Sequence, residues 1–251
     1  MTSRGADETA RLPDVVYVVR PGDDNEELRY SLRSVAENVP HRKVWVVGHC
    51  PWWVKNTESI ELEPLPDRFD NQHQSLSTVM ERDDLADEFY YWNDDIYATR
   101  RFDGLLPTHH LGPLRDYLEA VGEYGKNSEN GWVLGMREML TLLESWGHPD
   151  PLCYEGHMPL RFRKEDMRHF AANRTRHFLP AQFYAATDMD PGAQWIDAKA
   201  GMLGHPLEDP DPPFMSSDDY WFERSRLGDY IRETFPTPCI YEGAPDGRRR
   251  S

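Results

Sequence analysis

Three oxygen-bearing side chains, Asn93, Asp94 and Asp95, follow directly on the run Glu88-Phe-Tyr-Tyr-Trp92. The run is aromatic and too short for a helix, so it predicts a strand. Because ligands of open α/β sheets bind beyond the carboxyl ends of the strands, these side chains are expected to face a ligand crevice. Carboxylates there can bind Mg²⁺ or Mn²⁺ together with diphosphate oxygens. An isolated acidic pair after a strand more often forms a turn or a helix cap, and taken alone this pair favours that structural interpretation.

Basic side chains offer candidate contacts for an anionic ligand. Arg29 and Arg33 lie four residues apart on one face of a predicted helix. They fit a diphosphate clamp, and they equally fit ion pairs with the nearby Glu26 and Glu37. The run Arg174-Thr-Arg-His177 forms a second basic group, which fits an anion site or a surface patch.

Single titratable residues add further candidates. His157 lies in the loop Glu155-Gly-His-Met-Pro159, so its imidazole can titrate near neutrality, although a lone loop histidine is usually inert. Asp14 opens a predicted strand, Asp24 follows the next turn, and Asp218 precedes the last predicted helix. Taken singly, these aspartates favour capping or solvated positions over catalysis.

The elements around these residues predict an α/β fold with a mostly parallel central sheet and flanking helices. The runs Val15–Val19 and Val44–Val47 predict buried strands, and apolar residues recur at helical spacing from Leu28 to Val39. Such a β-α-β unit has a right-handed crossover and a parallel sheet. Asp23 or Asp24 is expected to cap its helix. Further helices are predicted near residues 71–83, 112–122, 134–146, 164–173 and 218–233.

The composition limits the classes to which the protein can belong. A chain of 251 residues with 39% hydrophobic residues can bury one sizeable core, and we interpret residues 13–245 as one domain with halves at 13–103 and 104–245. The formal net charge of -16 disfavours nucleic acid and anionic membranes as partners. The sequence does not indicate an oligomeric state.

Several common classes lose support because their signatures are missing from the sequence. It contains no G-x-G-x-x-G, P-loop, G-x-S-x-G or H-E-x-x-H motif. No apolar run approaches the roughly 20 residues of a transmembrane helix, and the N-terminus lacks the apolar core of a signal peptide. The three cysteines are scattered and imply no disulfide framework. We therefore expect a cytoplasmic protein.

One long segment resembles a known family. The string Asn25-Glu-Glu-Leu-Arg-Tyr-Ser-Leu-Arg-Ser34, continued by Asn38-Val-Pro40, Val44–Val47 and Pro51-Trp-Trp53, resembles the second conserved region of the Stealth family. These proteins are sugar-1-phosphate transferases of bacterial capsule synthesis. They are related to the animal N-acetylglucosamine-1-phosphotransferase that builds the lysosomal mannose-6-phosphate tag.

The other regions of the family follow in order along the chain. The similar segments are Asp14-Val-Val-Tyr17 with Gly22 and Asp24, Phe89–Asp95, Gly156-His-Met-Pro159 with Arg176-His177, and Ser217–Asp219 with Phe235–Glu242. The chain departs from the family at Val19 and Pro21, at Cys239, and in Asn71–Leu76, where the usual glutamate is missing. The resemblance spans residues 14 to 242.

The resemblance implies a fold like that of the glycosyltransferase A enzymes and a divalent cation. It assigns Asp94 and Asp95 to Mg²⁺ or Mn²⁺. His157 is the candidate general base, Arg176 a cation beside the diphosphate, and Asp218 either orients the histidine or binds metal. Residues implied to bind the donor are Asp14, Asp24, Arg29, Ser31, Arg33 and Asn93.

The function implied is transfer of sugar-1-phosphate from a nucleotide sugar to a hydroxyl of a glycan or protein. Residues 13–103 would bind the donor and residues 104–245 would complete the acceptor side. One alternative is ordinary glycosyl transfer, which uses the same fold and metal but releases nucleoside diphosphate. A second alternative is a non-catalytic protein that binds a glycan or a partner.

Overall fold

The computed structural model describes residues 11–22, 24–124, 131–195, 197, 199 and 212–243. Strands in these ranges are β1 Asp14–Val19, β2 Val44–Gly48, β3 Glu58–Glu61, β4 Glu88–Trp92, β5 Ile96–Ala98, β6 His109–His110, β7 Leu160–Arg163, β8 Ala193–Gln194 and β9 Phe214–Ser216. Helices are α1 Glu26–Asn38, α2 Arg68–Met80, α3 Leu114–Tyr124, α4 Gly131–Ser145, α5 Lys164–Ala172, α6 Asp219–Arg224 and α7 Arg226–Thr234, with a 3₁₀ helix at Pro180–Ala186.

The central sheet has the strand order β3-β2-β1-β4-β7. The first four of these strands are parallel, and β7 pairs with β4 in the antiparallel direction. Two short pairs, β5 with β9 and β6 with β8, lie outside this sheet. The predicted α/β class with a mostly parallel sheet is confirmed, whereas the antiparallel edge strand was not predicted.

Side chains of the central strands alternate between two apolar cores, one on each face of the sheet. Val16, Trp45 and Tyr91 face the core that includes residues of α2, α4 and α5. Tyr17 and Trp92 face the other core, which includes residues of α1. Strands that are buried on both faces read as continuous apolar runs, and this is why β1 and β2 were recognisable in the sequence. No helix in the described ranges is long and apolar enough to cross a membrane.

Two expected helix boundaries differ from the structure. The cap of α1 is Asn25, whose side-chain oxygen accepts from the backbone N–H of Leu28 at 2.9 Å, and not Asp24; Asp23 lies outside the described residues. The predicted last helix is two helices, because the chain becomes extended at Ser225. The Ser225 hydroxyl accepts from the backbone N–H of Leu227 and so begins α7.

Asp14 is not at the ligand edge of the sheet, which corrects its expected role in donor binding. It is fully buried at the amino end of β1, whereas Asp94 and Asp95 follow the carboxyl end of the neighbouring strand. Its carboxylate accepts from Arg42 at 2.8 and 2.7 Å and from Trp45 Nε1 at 2.9 Å. Backbone N–H groups also donate to it. Asp14 therefore joins the strands and the loops at the amino end.

We expect Asp14→Ala to lower the free energy of unfolding by about 3–5 kcal/mol, because it leaves buried donors and the Arg42 guanidinium without their acceptor. Urea denaturation of purified protein measures the change. Asp84→Ala is the matched control, since this exposed carboxylate forms surface ion pairs with Lys43 and Arg82, and its loss should change stability little. If Asp14→Ala left stability unchanged but abolished donor binding, the result would contradict this structural role and support the expected role of Asp14 in donor binding.

Candidate active site at the carboxyl edge of the sheet

A polar pocket lies where the parallel strands end. Because β7 runs antiparallel, the loop before it reaches the same edge as the segments after β1, β2 and β4. A cavity of about 360 Å³ opens there, a volume typical of small-molecule sites. Its lining includes Arg20, Gly48, Asn93, Glu155 and His157. The sheet thus brings together Asn93 and His157, which are far apart in the sequence.

Gly48 allows the ends of β1 and β2 to approach each other closely at the pocket. It has φ +105, and a Cβ at this position would lie 2.4 Å from the carbonyl oxygen of Val19. The same carbonyl accepts from the backbone N–H of His49 at 3.0 Å. Only glycine fits this combination of positive φ and close approach.

Asp94 is tied to the start of α1. Asn25 has φ 32, in the left-handed region, and its Nδ2 donates to Asp94 Oδ2 at 2.7 Å. The same side chain caps the helix through its oxygen, so one asparagine fixes both the helix and the carboxylate. Burial raises the pKa of Asp94, and the hydrogen bond from Asn25 opposes the increase.

Asp95 has a buried oxygen, Oδ1, that accepts no hydrogen bond from the residues the structure describes. Burial and the neighbouring Asp94 raise the pKa of Asp95 to about 6. A buried acceptor that has no donor suits a cation, and carboxylate oxygens are ligands that Mg²⁺ and Mn²⁺ accept.

The pair would supply only part of a coordination shell. No group of three His, Cys, Asp or Glu side chains in the described ranges is placed to hold a metal. Mg²⁺ is commonly bound by one or two carboxylates, with water and substrate phosphates completing its shell. Asp94 and Asp95 fit that pattern.

His157 is held by Asp197, a residue that no sequence motif indicated. His157 Nδ1 lies 3.0 and 3.1 Å from the two Asp197 oxygens. Burial alone would lower the pKa of His157, but the hydrogen bond and charge of Asp197 outweigh it and raise the pKa. The carboxylate only accepts, so the proton of a neutral His157 is assigned to Nδ1 and Nε2 can accept another.

Arg20 and Glu27, two charged residues that interact electrostatically with Asp94, were also missed. Arg20 lines the pocket and forms an exposed ion pair with Asp219. Glu27 is buried at the first turn of α1, accepts from the Ser217 hydroxyl, and has a pKa raised by burial to about 8. Arg20 is the first residue after β1, and Glu27 lies within the family-like string, so position alone could have indicated both.

Arg29 and Arg33 do not form the expected diphosphate clamp. Arg33 Nε and Nη2 donate to the two oxygens of Glu242 at 2.7 and 2.9 Å, and Arg29 Nη1 donates to the same carboxylate at 2.9 Å. The Arg29 guanidinium also lies over the Trp53 ring, 4.1 Å from its centroid. Both arginines are engaged in joining α1 to the C-terminal segment, which corrects the expectation that they bind donor.

Ser31 and Asp218 also have structural partners. Ser31 is fully buried, its hydroxyl lies 2.9 Å from the Tyr17 hydroxyl, and it donates to the carbonyl of Ile96. Asp218 caps α6 by accepting from the backbone N–H of Trp221 at 3.0 Å. These contacts explain Ser31 as a packing residue, which corrects its expected contact with donor, and they match the capping interpretation of Asp218.

The remaining sequence candidates differ in position. Asn93 is half-buried and lines the pocket, and Asp24 is exposed in the loop between β1 and α1. Arg176 is exposed, and its neighbours in the basic run, Arg174 and His177, pair with carboxylates of α2 and α4. The roles expected for Asp24 and Arg176 stay predictions.

Two curated proteins are similar to this chain. It is 29% identical over 204 residues to an exopolysaccharide phosphotransferase of Nocardia farcinica (strain IFM 10152), covering 68% of this chain and 39% of that protein. It is 31% identical over 100 residues to the capsular polysaccharide phosphotransferase LcbA of Aeromonas hydrophila, covering 35% of this chain and 26% of that protein. No protein-family model matches.

Two solved structures of the glycosyltransferase GlyE from Streptococcus pneumoniae TIGR4, one of them the apo form, are similar at 14% and 13% identity. Their TM-scores are 0.40 and 0.39, and each match covers 90% of this chain and 60% of the other.

The fold and the pocket define an α/β protein with a polar pocket at the carboxyl edge of a mostly parallel sheet. The sequence matches show that this chain is similar to two polysaccharide phosphotransferases, which confirms the predicted resemblance. It spans about two fifths of the length of one curated relative and about a quarter of the other.

Proposed function

We propose that this chain is a metal-dependent transferase that moves sugar-1-phosphate from a nucleotide sugar to a hydroxyl of a glycan or protein. The observation that carries the proposal is the pairing of His157, which lines the pocket, with Asp197, while the charge of the same imidazole also acts on Asp95. The names of the curated relatives support phosphotransfer, and a cytoplasmic location is proposed with it.

The donor would occupy the 360 Å³ cavity with its diphosphate towards the end of β4. Asp94 and Asp95 would hold Mg²⁺ or Mn²⁺, which supplies neutralisation of diphosphate charge when bound. Arg20 and Arg68 are cationic side chains that line this cavity. Arg20 lies at the end of β1, so it replaces Arg29 and Arg33 as the proposed phosphate contact. Positioning and charge stabilisation are the main contributions that phosphoryl transfer needs from a protein.

His157 would act as the general base. Asp197 holds the proton on Nδ1, so Nε2 can take the proton of the acceptor hydroxyl. The acceptor oxygen then forms a bond to the sugar-bearing phosphorus, the phosphoanhydride bond to the other phosphorus breaks, and nucleoside monophosphate leaves. Glycosyl transfer would instead break the bond at the anomeric carbon and release nucleoside diphosphate.

The test is incubation of purified protein with a panel of nucleotide sugars, an acceptor-rich lysate and Mg²⁺ or Mn²⁺, with mass spectrometry of the nucleotides. We expect nucleoside monophosphate from one donor and its loss when EDTA is added. Release of nucleoside diphosphate would replace the proposed reaction with glycosyl transfer. Donor binding without turnover across the panel would indicate a binding protein.

A further inference from the structure

A smaller chamber adjoins the main pocket, on the side of the loop before β7 and the start of the 3₁₀ helix. Its volume is about 100 Å³, and it shares Asn93, Trp132, Glu155 and His157 with the main cavity. Small-molecule sites usually measure about 300–1,000 Å³, so the chamber has room for one part of a ligand and not for a whole nucleotide. The two cavities together provide a larger compartment with a narrow side branch.

Glu155 is the unusual residue of this chamber. Its Oε2 accepts from Trp132 Nε1 at 3.3 Å, while its Oε1 is buried and accepts no hydrogen bond from the described residues. Burial raises the pKa of Glu155, and the hydrogen bond from Trp132, the charge of His157 and the backbone of Gln182 oppose the increase only in part. Leaving a buried acceptor unpaired costs roughly 1–3 kcal/mol, so such groups are rare unless a ligand uses them.

The walls of the chamber combine polar and aromatic groups. Gln72 donates from its amide to the Tyr91 hydroxyl, and the Asn93 amide lies beside them in the lining. The Trp132 indole supplies an aromatic surface next to the Glu155 carboxylate. A hydroxylated ring matches this combination, because its O–H groups donate to carboxylates and its C–H faces pack on aromatic rings.

We propose that the chamber receives the sugar ring of the donor and that Glu155 Oε1 accepts a hydrogen bond from one of its hydroxyl groups. The inference rests on the proposed function, since it takes the ligand of the main cavity to be a nucleotide sugar. The nucleotide would occupy the larger cavity, which extends to β1 and β2. The sugar would lie next to His157, which lines both cavities. Glu155 would then be a determinant of sugar specificity.

The test compares Glu155→Gln with the wild-type protein in isothermal titration calorimetry, above neutral pH. The titrants are a panel of UDP- and GDP-hexoses, with UDP and GDP as ligands that lack the sugar. A hydrogen bond to a charged group contributes about 1.5–3 kcal/mol, so we expect Glu155→Gln to weaken the bound nucleotide sugar by roughly 10-fold or more. Affinity for UDP or GDP should stay unchanged.

The matched control is Glu37→Gln, which neutralises an exposed carboxylate on α1 and should change neither affinity. The melting temperature of Glu155→Gln should equal or exceed that of wild type, because the change removes a buried charge. Equal loss of sugar and plain nucleotide binding, or a lower melting temperature, would overturn the inference in favour of a structural role. Unchanged affinity for the sugar would also overturn it.

The same experiment separates this inference from the proposed function. Sugar binding that depends on Glu155, together with no release of nucleoside monophosphate, would support the sugar-binding role of the chamber and refute the proposed transferase activity. If wild type and Glu155→Gln both release nucleoside monophosphate and bind the donor with equal affinity, only the sugar-binding role of the chamber would be refuted. A wild-type protein that binds no nucleotide sugar in the panel would refute both.

Discussion

Replacing His157 with alanine is expected to lower kcat for sugar-1-phosphate transfer by roughly 10²- to 10⁴-fold, the usual contribution of a positioned general base. The KM for donor should change little, since the imidazole is proposed to act on the acceptor. Initial-rate kinetics of nucleoside monophosphate release measure both quantities. His169→Ala is the control, because this exposed histidine of α5 lies outside the pocket lining.

The pH dependence of kcat distinguishes a base from a merely structural histidine. The base acts unprotonated, so kcat should rise as pH passes upward through the His157 pKa, which Asp197 keeps above its ordinary value. Asp197→Asn removes that charge, so the rise should move to lower pH while the maximal rate falls. A pH profile that does not move in Asp197→Asn would contradict the assignment of His157.

Replacing Asp95 with asparagine is expected to reduce activity at limiting Mg²⁺ or Mn²⁺ by at least about 100-fold, because even outer partners of metal ligands contribute 10- to 100-fold. Metal titrations of the transfer rate measure this loss. A glutamine in place of exposed Glu37 again serves as control. Asp95→Asn should also bind Mg²⁺ or Mn²⁺ poorly when no substrate is present.

Thermal unfolding in EDTA provides a second measure for Asp95. The pKa of Asp95 is raised to about 6, above the value near 4 of an unfolded aspartate. The contribution of this carboxyl group to the free energy of unfolding therefore favours the folded state at low pH, and it is lost as pH rises through 6. Asp95→Asn should therefore melt at a higher temperature than wild type above pH 6, in the absence of metal. Added metal should raise the melting temperature of wild type only, and equal stabilisation of both would exclude Asp95 as a ligand.

The sequence predicted the parts of the fold that depend on local patterns. β1, β2 and β4 are apolar runs buried on both faces, and this pattern needs no knowledge of distant partners. The same strands placed Asn93 and its two following aspartates at the ligand edge. The four-residue strand β7 has no such run, so neither its antiparallel direction nor the route of the loop before it was foreseeable.

Partners from distant parts of the chain explain the errors in the site. Spacing showed that Arg29 and Arg33 share a helix face, but it could not show that Glu242 lies against that face. Asp197 has no local motif, and only the fold brings it to His157, which lies 40 residues earlier. Glu155 begins the loop that contains His157, yet its burial beside Trp132 depends on the packing of α4.

The ion pairs between Glu242 and the two arginines of α1 also bear on how the protein folds. Arg33 and Glu242 are separated by 209 residues, so α1 leaves the ribosome long before its carboxylate partner is made. Contacts of such long range form late and slow the folding of the chains that depend on them. During synthesis, the whole β1-α1-β2 unit is therefore made before the carboxylate that pairs with its two arginines.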